Sequence, residues 1–141
     1  MTNKQTGSGP SGWVVNRGAD GSVQSGVAPL PGSHPEEFVC IDVEAAGFNY
    51  KDALACDAHP GVARTLPLVP GIDVAGTLRT AFEGYAAGTP VVATGNGLGE
   101  LVQGGFATEV WAPPAASIQR PESLSATAAM AMGTAGLTAI L

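Results

Sequence analysis

Leu66-Pro67-Leu68-Val69-Pro70-Gly71-Ile72-Asp73-Val74-Ala75-Gly76-Thr77-Leu78 is the stretch on which the reading of this chain turns. Each proline pushes the residue before it out of the helical region, so Leu66 to Gly71 is extended. Ile72 to Leu78 then alternates at period two, with Ile72 and Val74 on one face of a strand and Asp73 and Ala75 on the other. A carboxylate in so apolar a strand must be exposed, paired or turned into a cleft. The bland alternative is a surface-facing strand residue.

The same short-strand grammar continues toward the carboxyl end. Gly88 to Pro90 reads as a turn, Val91 to Thr94 as a strand, Gly95 to Gly105 as a glycine-rich loop, Phe106 to Ala112 as a strand, and Ser117 to Gln119 as a short one. Only the last stretch has helical character: Ala126 to Met132 is rich in Ala and Met, with Ser123 or Ser125 as its cap and Gly133 and Gly136 as interruptions. Toward the amino end, Tyr50 to Cys56 reads as a short helix or turn, and Phe38 to Ala45 as a strand with β-branched residues. Pro29 to Pro35 is a loop, Asp20-Gly21 a hairpin turn and Trp13 to Val15 a strand. With 20 Gly and 11 Pro in 141 residues, turns and short strands dominate, which points to an all-β barrel or sandwich.

Bulk properties exclude several classes of function. The formal net charge is −6 with only six Lys plus Arg, which is the wrong footprint for nucleic acid or an anionic membrane surface. No apolar run reaches the roughly 20 residues that span a bilayer. Met1 to Gly12 lacks an apolar signal core and reads as a disordered leader. Cys40 and Cys56 are too few for a disulfide framework and wrongly spaced for a CxxC site, so two free thiols in a cytoplasmic protein are expected. His34 and His59 each sit beside a proline in a loop, without a partner at metal spacing, and read as solvated.

A literal G-x-G-x-x-G runs through Gly7, Gly9 and Gly12, but no strand precedes it and Pro10 interrupts it; it is a linker and not a dinucleotide fingerprint. The second glycine cluster, Thr94-Gly95-Asn96-Gly97-Leu98-Gly99-Glu100 with Gly104-Gly105, has two readings: a mobile surface loop, or a loop whose backbone a ligand approaches closely. Asn49-Tyr50-Lys51-Asp52 is a dense polar group at the end of a strand, where scaffolds present chemistry, although an ordinary turn uses the same residues.

Taken in order, these segments resemble one family. Asn49 to Leu54 is similar to its N-Y-K-D-A-L signature, and Pro67 to Thr77 to its P-L-V-P-G-I-D-x-A-G-T strand. Thr94 to Glu100 resembles its T-G-x-G-L-G-E segment, Gly104 to Ala107 its G-G-x-A segment, and Gly133 to Ala139 its G-T-A-G-x-T-A helix. The chain is thus identified, over roughly Trp13 to Leu141, with the acryloyl-CoA reductase and quinone-oxidoreductase-like, zinc-independent branch of the medium-chain dehydrogenase/reductase superfamily. The matching portion is the amino-terminal GroES-like domain.

The resemblance implies a mainly β fold: a partly open, GroES-like β-barrel over residues 13–122, after a leader over 1–12. Residues 123–141 would begin the helical connection to a Rossmann domain that this stretch does not include. It implies NADPH as cofactor, most of whose site lies outside these residues, a small-molecule substrate, and room for a homodimer in the full-length protein. Zinc-dependent relatives carry G-x-C-x-x-D and G-H-E, with the Cys and His on the metal. Here Asn49 and Ile72 fill those slots, and an amide and an alkyl group cannot replace a thiolate and an imidazole. The implied chemistry is metal-free reduction of a C=C bond conjugated to a carbonyl, in an acryloyl-CoA-like substrate or a quinone.

In that reaction Asn49, Tyr50 and Lys51 would donate hydrogen bonds to substrate or nicotinamide. Asp52 and Asp73 would orient those donors or handle protons, and Tyr50 and Thr134 would contact the nicotinamide. Two departures stand out: Asn96 where relatives commonly have Trp, and Gly88-Thr89 where they have G-D. Ending in the apolar run Leu137 to Leu141, the chain reads as a fragment that would bind NADPH poorly and turn nothing over alone. An exposed apolar patch where the other domain packs would invite self-association. The competing expectations are a stand-alone β-barrel interaction module without catalysis and a truncated product with no stable fold.

Overall fold

The computed structural model describes residues 9–141. An amino-terminal hairpin joins β1 (Ser11–Arg17) to β2 (Val23–Pro29), in antiparallel register from Ser11 opposite Pro29 to Arg17 opposite Val23. Gly21, with φ of 83°, turns the chain between them. The main sheet holds β3 (Val39–Ala46), β4 (Asp73–Leu78), β5 (Pro90–Thr94), β6 (Glu109–Ala112) and β7 (Ser117–Gln119). Its order is β6-β3-β4-β5-β7, and every pairing is antiparallel. Two helices complete the fold, α1 (Tyr50–Cys56) and α2 (Ala126–Ile140). The sheet curls into a half-barrel, mainly β as the strand grammar predicts and GroES-like as the resemblance implies.

β4 runs through the middle and is buried on both faces. Val74 joins the barrel core with Val39, Ile41, Leu78, Val91, Ala93, Leu98 and Val110. Ala75 faces the other way and packs under α2 against Ala126 and Ala129. The small side chains on that second face let α2 lie close to the sheet. Gly76 sits where β3 crosses most tightly: a Cβ there would lie 1.9 Å from the Asp42 carbonyl oxygen. Beside it, β3 bulges between Val43 and Ala45, which turns Ala45 toward the α2 cluster.

The hairpin is tied to the body by backbone. Val15 and Leu68 exchange both hydrogen bonds, at 2.7 and 2.9 Å, and Trp13 N–H donates to the Phe106 carbonyl at 2.8 Å. A third apolar group, Ala55, Val62, Ala63 and Leu68, fills the space between α1 and the extended Leu66–Gly71 segment.

Several expected boundaries shift. Of the leader expected over 1–12, residues 1–8 and the linker glycine Gly7 lie outside the described residues, but Ser11 and Gly12 already belong to β1. The strand expected over Phe106 to Ala112 begins only at Glu109. The N–H groups of Gly104, Gly105 and Phe106 go instead to the carbonyls of Val69, Gly71 and Pro70, fastening the loop across the chain. Ser125, not Ser123, caps α2, its hydroxyl accepting from Ala128 N–H at 3.1 Å. Gly133 interrupts that helix at φ 45° and ψ −157°, while Gly136 stays within it. Cys40 and Cys56 are free thiols. His34, read as solvated, is exposed and stacks one face of its ring on Trp111 with centroids 3.5 Å apart.

Candidate functional site

Asn49 leaves β3 in an extended conformation and starts α1. Asp52, three residues on, folds back so that its Oδ2 accepts the Asn49 backbone N–H at 2.7 Å, satisfying a donor the helix leaves unpaired. The other oxygen of Asp52 accepts the Ile72 N–H at 3.0 Å. A fully buried carboxylate thus fastens the start of α1 to the start of β4.

Asn49 links that carboxylate to a second one. Its Nδ2 donates to Asp73 Oδ2 at 2.9 Å and to Asp52 Oδ2 at 3.3 Å, so both amide protons are engaged. Asp73, 1% exposed, gathers further donors from β5 and α2. Thr134 gives its backbone N–H to Oδ2 at 2.8 Å and its hydroxyl to Oδ1 at 2.6 Å, and the Thr94 hydroxyl donates to the same Oδ1. Among the described residues neither aspartate has a cationic partner. Burial pushes the Asp73 carboxyl up, but the hydrogen bonds from Thr134, Thr94 and Asn49 outweigh it and hold the group below its ordinary value. Asp73 is therefore a charged acceptor held by neutral donors from three other parts of the chain.

The break in α2 serves the same carboxylate. Gly133 brings the backbone so near Asp73 that the second half of the helix starts at Thr134 with Asp73 over its first N–H. Negative charge is favoured at a helix start. Thr94, Thr134 and Asp73 form the polar end of a cleft of about 240 Å³. Most of its other lining is apolar, with Val92, Ile118, Leu124, Met130, Met132 and Leu137 among it, and Gln119 and Arg120 are the polar exceptions.

Of the residues singled out in the sequence, Asn49, Asp52, Asp73 and Thr134 meet in this one cluster. Tyr50 and Lys51 point elsewhere from the first turn of α1. Tyr50 is 80% exposed, and the Lys51 ammonium pairs with Glu100 at 2.7 Å, bracing α1 against the glycine-rich loop. Next to them Phe48, also exposed, stacks parallel to Phe106 with centroids 5.9 Å apart. Thr94 and Gly133 were not singled out for these contacts; the only hint was their position at the head of two recognisable segments. Ile72, immediately before Asp73, is buried.

Part of the glycine-rich loop packs on the chain's own backbone. A Cβ at Gly99 would lie 2.7 Å from Gly71 N, and one at Gly104 would lie 2.4 Å from Gly71 O. Its glycines let it pack on the chain's own Pro70–Gly71 backbone. A larger cavity of about 520 Å³ opens beside His34, Phe38, Leu66 and Trp111, and no residue of the Asn49–Asp73 cluster lines it. Outer residues of α2 and β7 leave apolar side chains in solvent: Ile118, Met132, Leu137 and Ile140 are all exposed. No helix among the described residues is long and apolar enough to cross a membrane.

Known proteins share this fold and much of its sequence. The alcohol dehydrogenase GroES-like domain family matches residues 35–122. A protein of Escherichia coli named "probable acrylyl-CoA reductase" is 41% identical over 124 residues, covering 86% of this chain and 38% of its own length. A chloroplast envelope quinone oxidoreductase homolog of Arabidopsis thaliana is 33% identical over 117 residues, 79% of this chain and 34% of its own. Among solved structures, the E. coli K-12 YhdH protein with bound NADPH superposes with a TM-score of 0.82 at 38% identity, over 92% of this chain and 40% of that one. The chain thus spans well under half the length of these relatives.

Proposed function

The chain belongs to the alcohol dehydrogenase GroES-like family of the medium-chain dehydrogenase/reductase superfamily, and we propose that it forms the substrate-side wall of an NADPH-dependent reductase. Its substrate class is a C=C bond conjugated to a carbonyl, as in an acryloyl-CoA-like thioester, or a quinone, and it works without zinc. The observation that carries this reading is the cluster that joins Asn49, Asp52, Asp73, Thr94 and Thr134 at the head of an apolar cleft. The positions that would carry zinc ligands belong instead to an amide and an alkyl side chain.

The cleft suits a nicotinamide: apolar walls for a flat ring, polar atoms at one end. When bound, NADPH supplies the hydride that reduces the conjugated bond. The cofactor's phosphates need other groups. Arg120 is the one cation among the cleft's described residues, and it is already turned to the Leu124 carbonyl and to Glu44.

The division of labour follows from which protons are free. Asn49 has given both amide protons to aspartates, and Asp73 accepts four hydrogen bonds, so these residues and Asp52 position the site. Tyr50 keeps an exposed hydroxyl. It donates to the substrate carbonyl oxygen, where negative charge develops as the double bond is reduced. Lys51, paired with Glu100, braces the first turn of α1, which carries Tyr50.

The test is made on the product of the complete reading frame that carries these residues. NADPH oxidation is followed with acryloyl-CoA, small enones and quinones. Acceptor-dependent oxidation is expected, with Tyr50→Phe lowering kcat by about 10- to 100-fold. NADPH binding without turnover of any of these acceptors would overturn the substrate class. Failure to bind NADPH would favour a β-barrel interaction module instead.

A further inference from the structure

The hydroxyl protons of Thr94 and Thr134 are both committed to the same oxygen. Thr134 Oγ1 donates to Asp73 Oδ1 at 2.6 Å, and Thr94 Oγ1 donates to that atom as well. An ionised carboxylate only accepts, and hydrogen bonds to it are stronger than those between neutral groups. The two threonine oxygens lie 3.1 Å apart, yet neither has a proton left for the other. What each hydroxyl has left is lone pairs, and both residues line the 240 Å³ cleft.

Two neighbouring acceptors on the wall of a mostly apolar cleft call for a ligand with a donor group there. Among the parts of a nicotinamide, only the carboxamide NH₂ offers N–H donors. We infer that Thr94 and Thr134 together accept hydrogen bonds from the carboxamide NH₂ of the nicotinamide, with Asp73 fixing their protons away from it. The inference rests on the reductase reading and adds Thr94 to the cofactor-binding residues. It also assigns Asp73 as a positioning residue whose charge sets the polarity of two hydroxyls without touching the cofactor. A threonine free to rotate could donate to the carboxamide oxygen as readily as accept from the nitrogen; under Asp73 this pair cannot.

The 3-acetylpyridine analogue of NADP⁺ separates these cases, because it keeps the carbonyl and replaces NH₂ with CH₃. Dissociation constants for NADP⁺ and the analogue are measured at equilibrium, by calorimetry, on the product of the complete reading frame. The unmodified protein is expected to bind NADP⁺ about tenfold more tightly than the analogue, the worth of two modest net hydrogen bonds. Thr94→Val should weaken NADP⁺ and leave the analogue nearly unchanged, bringing the ratio toward one, while Thr94→Ser should restore it. Equal affinities in the unmodified protein would overturn the inference whatever the variants do. So would a ratio that Thr94→Val leaves intact. Absence of binding by either dinucleotide would instead overturn the reductase reading from which the inference starts.

Discussion

Gly133 and Asp73 share one small space: a Cβ at Gly133 would lie 2.8 Å from Asp73 Oδ2, in a backbone with φ of 45°. A side chain here meets both a steric obstacle and a conformation that L-residues disfavour. Gly133→Ala is expected to cost about 1–3 kcal/mol, read as a lower urea midpoint at unchanged slope. An unshifted midpoint would mean that the break in α2 does not depend on the carboxylate.

Asp73 makes stability depend on acid. Its carboxyl is held below the ordinary value of 3.8 in the folded chain. The folded state therefore binds its proton less readily than the unfolded state does. The resulting stabilisation is complete above 3.8 and is lost as pH falls through the folded value. Asp73→Asn should be less stable at neutral pH by about 2 kcal/mol, since charged acceptors make the stronger bonds. It should also show a shallower loss of stability on acidification. Parallel pH profiles for the two proteins would show that Asp73 carries no charge in the fold.

The glycine-rich loop separates two uses of glycine. At Gly104 an added methyl would strike the backbone oxygens of Gly71 and Pro70, at 2.4 and 2.6 Å; at Gly95, with φ of 60°, it would meet open space. Gly104→Ala is expected to cost more than about 3 kcal/mol or to prevent folding. Gly95→Ala should cost only the roughly 1–2 kcal/mol of a left-handed alanine. Equal effects in thermal melts would contradict the packing of this loop on Pro70–Gly71.

The two thiols should differ in reactivity. Burial pushes Cys40, fully enclosed in β3, up to about 11, and burial raises the half-buried Cys56 as well. The thiolate is the reacting form, so neither should label quickly at neutral pH. Peptide mapping after mild alkylation should find Cys56 modified about tenfold faster than Cys40, which waits for unfolding. Faster labelling of Cys40 would show that β3 opens in the native state.

The parts of the fold that could be read from sequence are those with a local cause. Proline restriction and period-two alternation around Gly71 to Leu78 marked β4, and Asp73 stood out because a carboxylate in an apolar strand needs an explanation. β2 was implied only by the Asp20-Gly21 turn, because Val23 to Pro29 is mostly exposed and shows little apolar alternation. The late start of β6 was hidden, since the partners of Gly104 to Phe106 lie across the chain at Val69 to Gly71. The same holds at the site. Asn49, Asp52, Asp73 and Thr134 were found one by one, but a threonine at a strand end looks like any other until Asp73 is seen beneath it.

The partners of Asp73 arrive at different times. Asn49 precedes it by 24 residues, whereas Thr94 follows by 21 and Thr134 by 61. A chain made from its amino end can pair β3, β4 and β5 while the codon for Thr134 is still unread. Until that residue emerges, the aspartate at the centre of the sheet lacks two of its donors. Vectorial synthesis thus makes this carboxylate a checkpoint: the barrel can be begun early, but its central acceptor is fully engaged only once the second half of α2 has emerged.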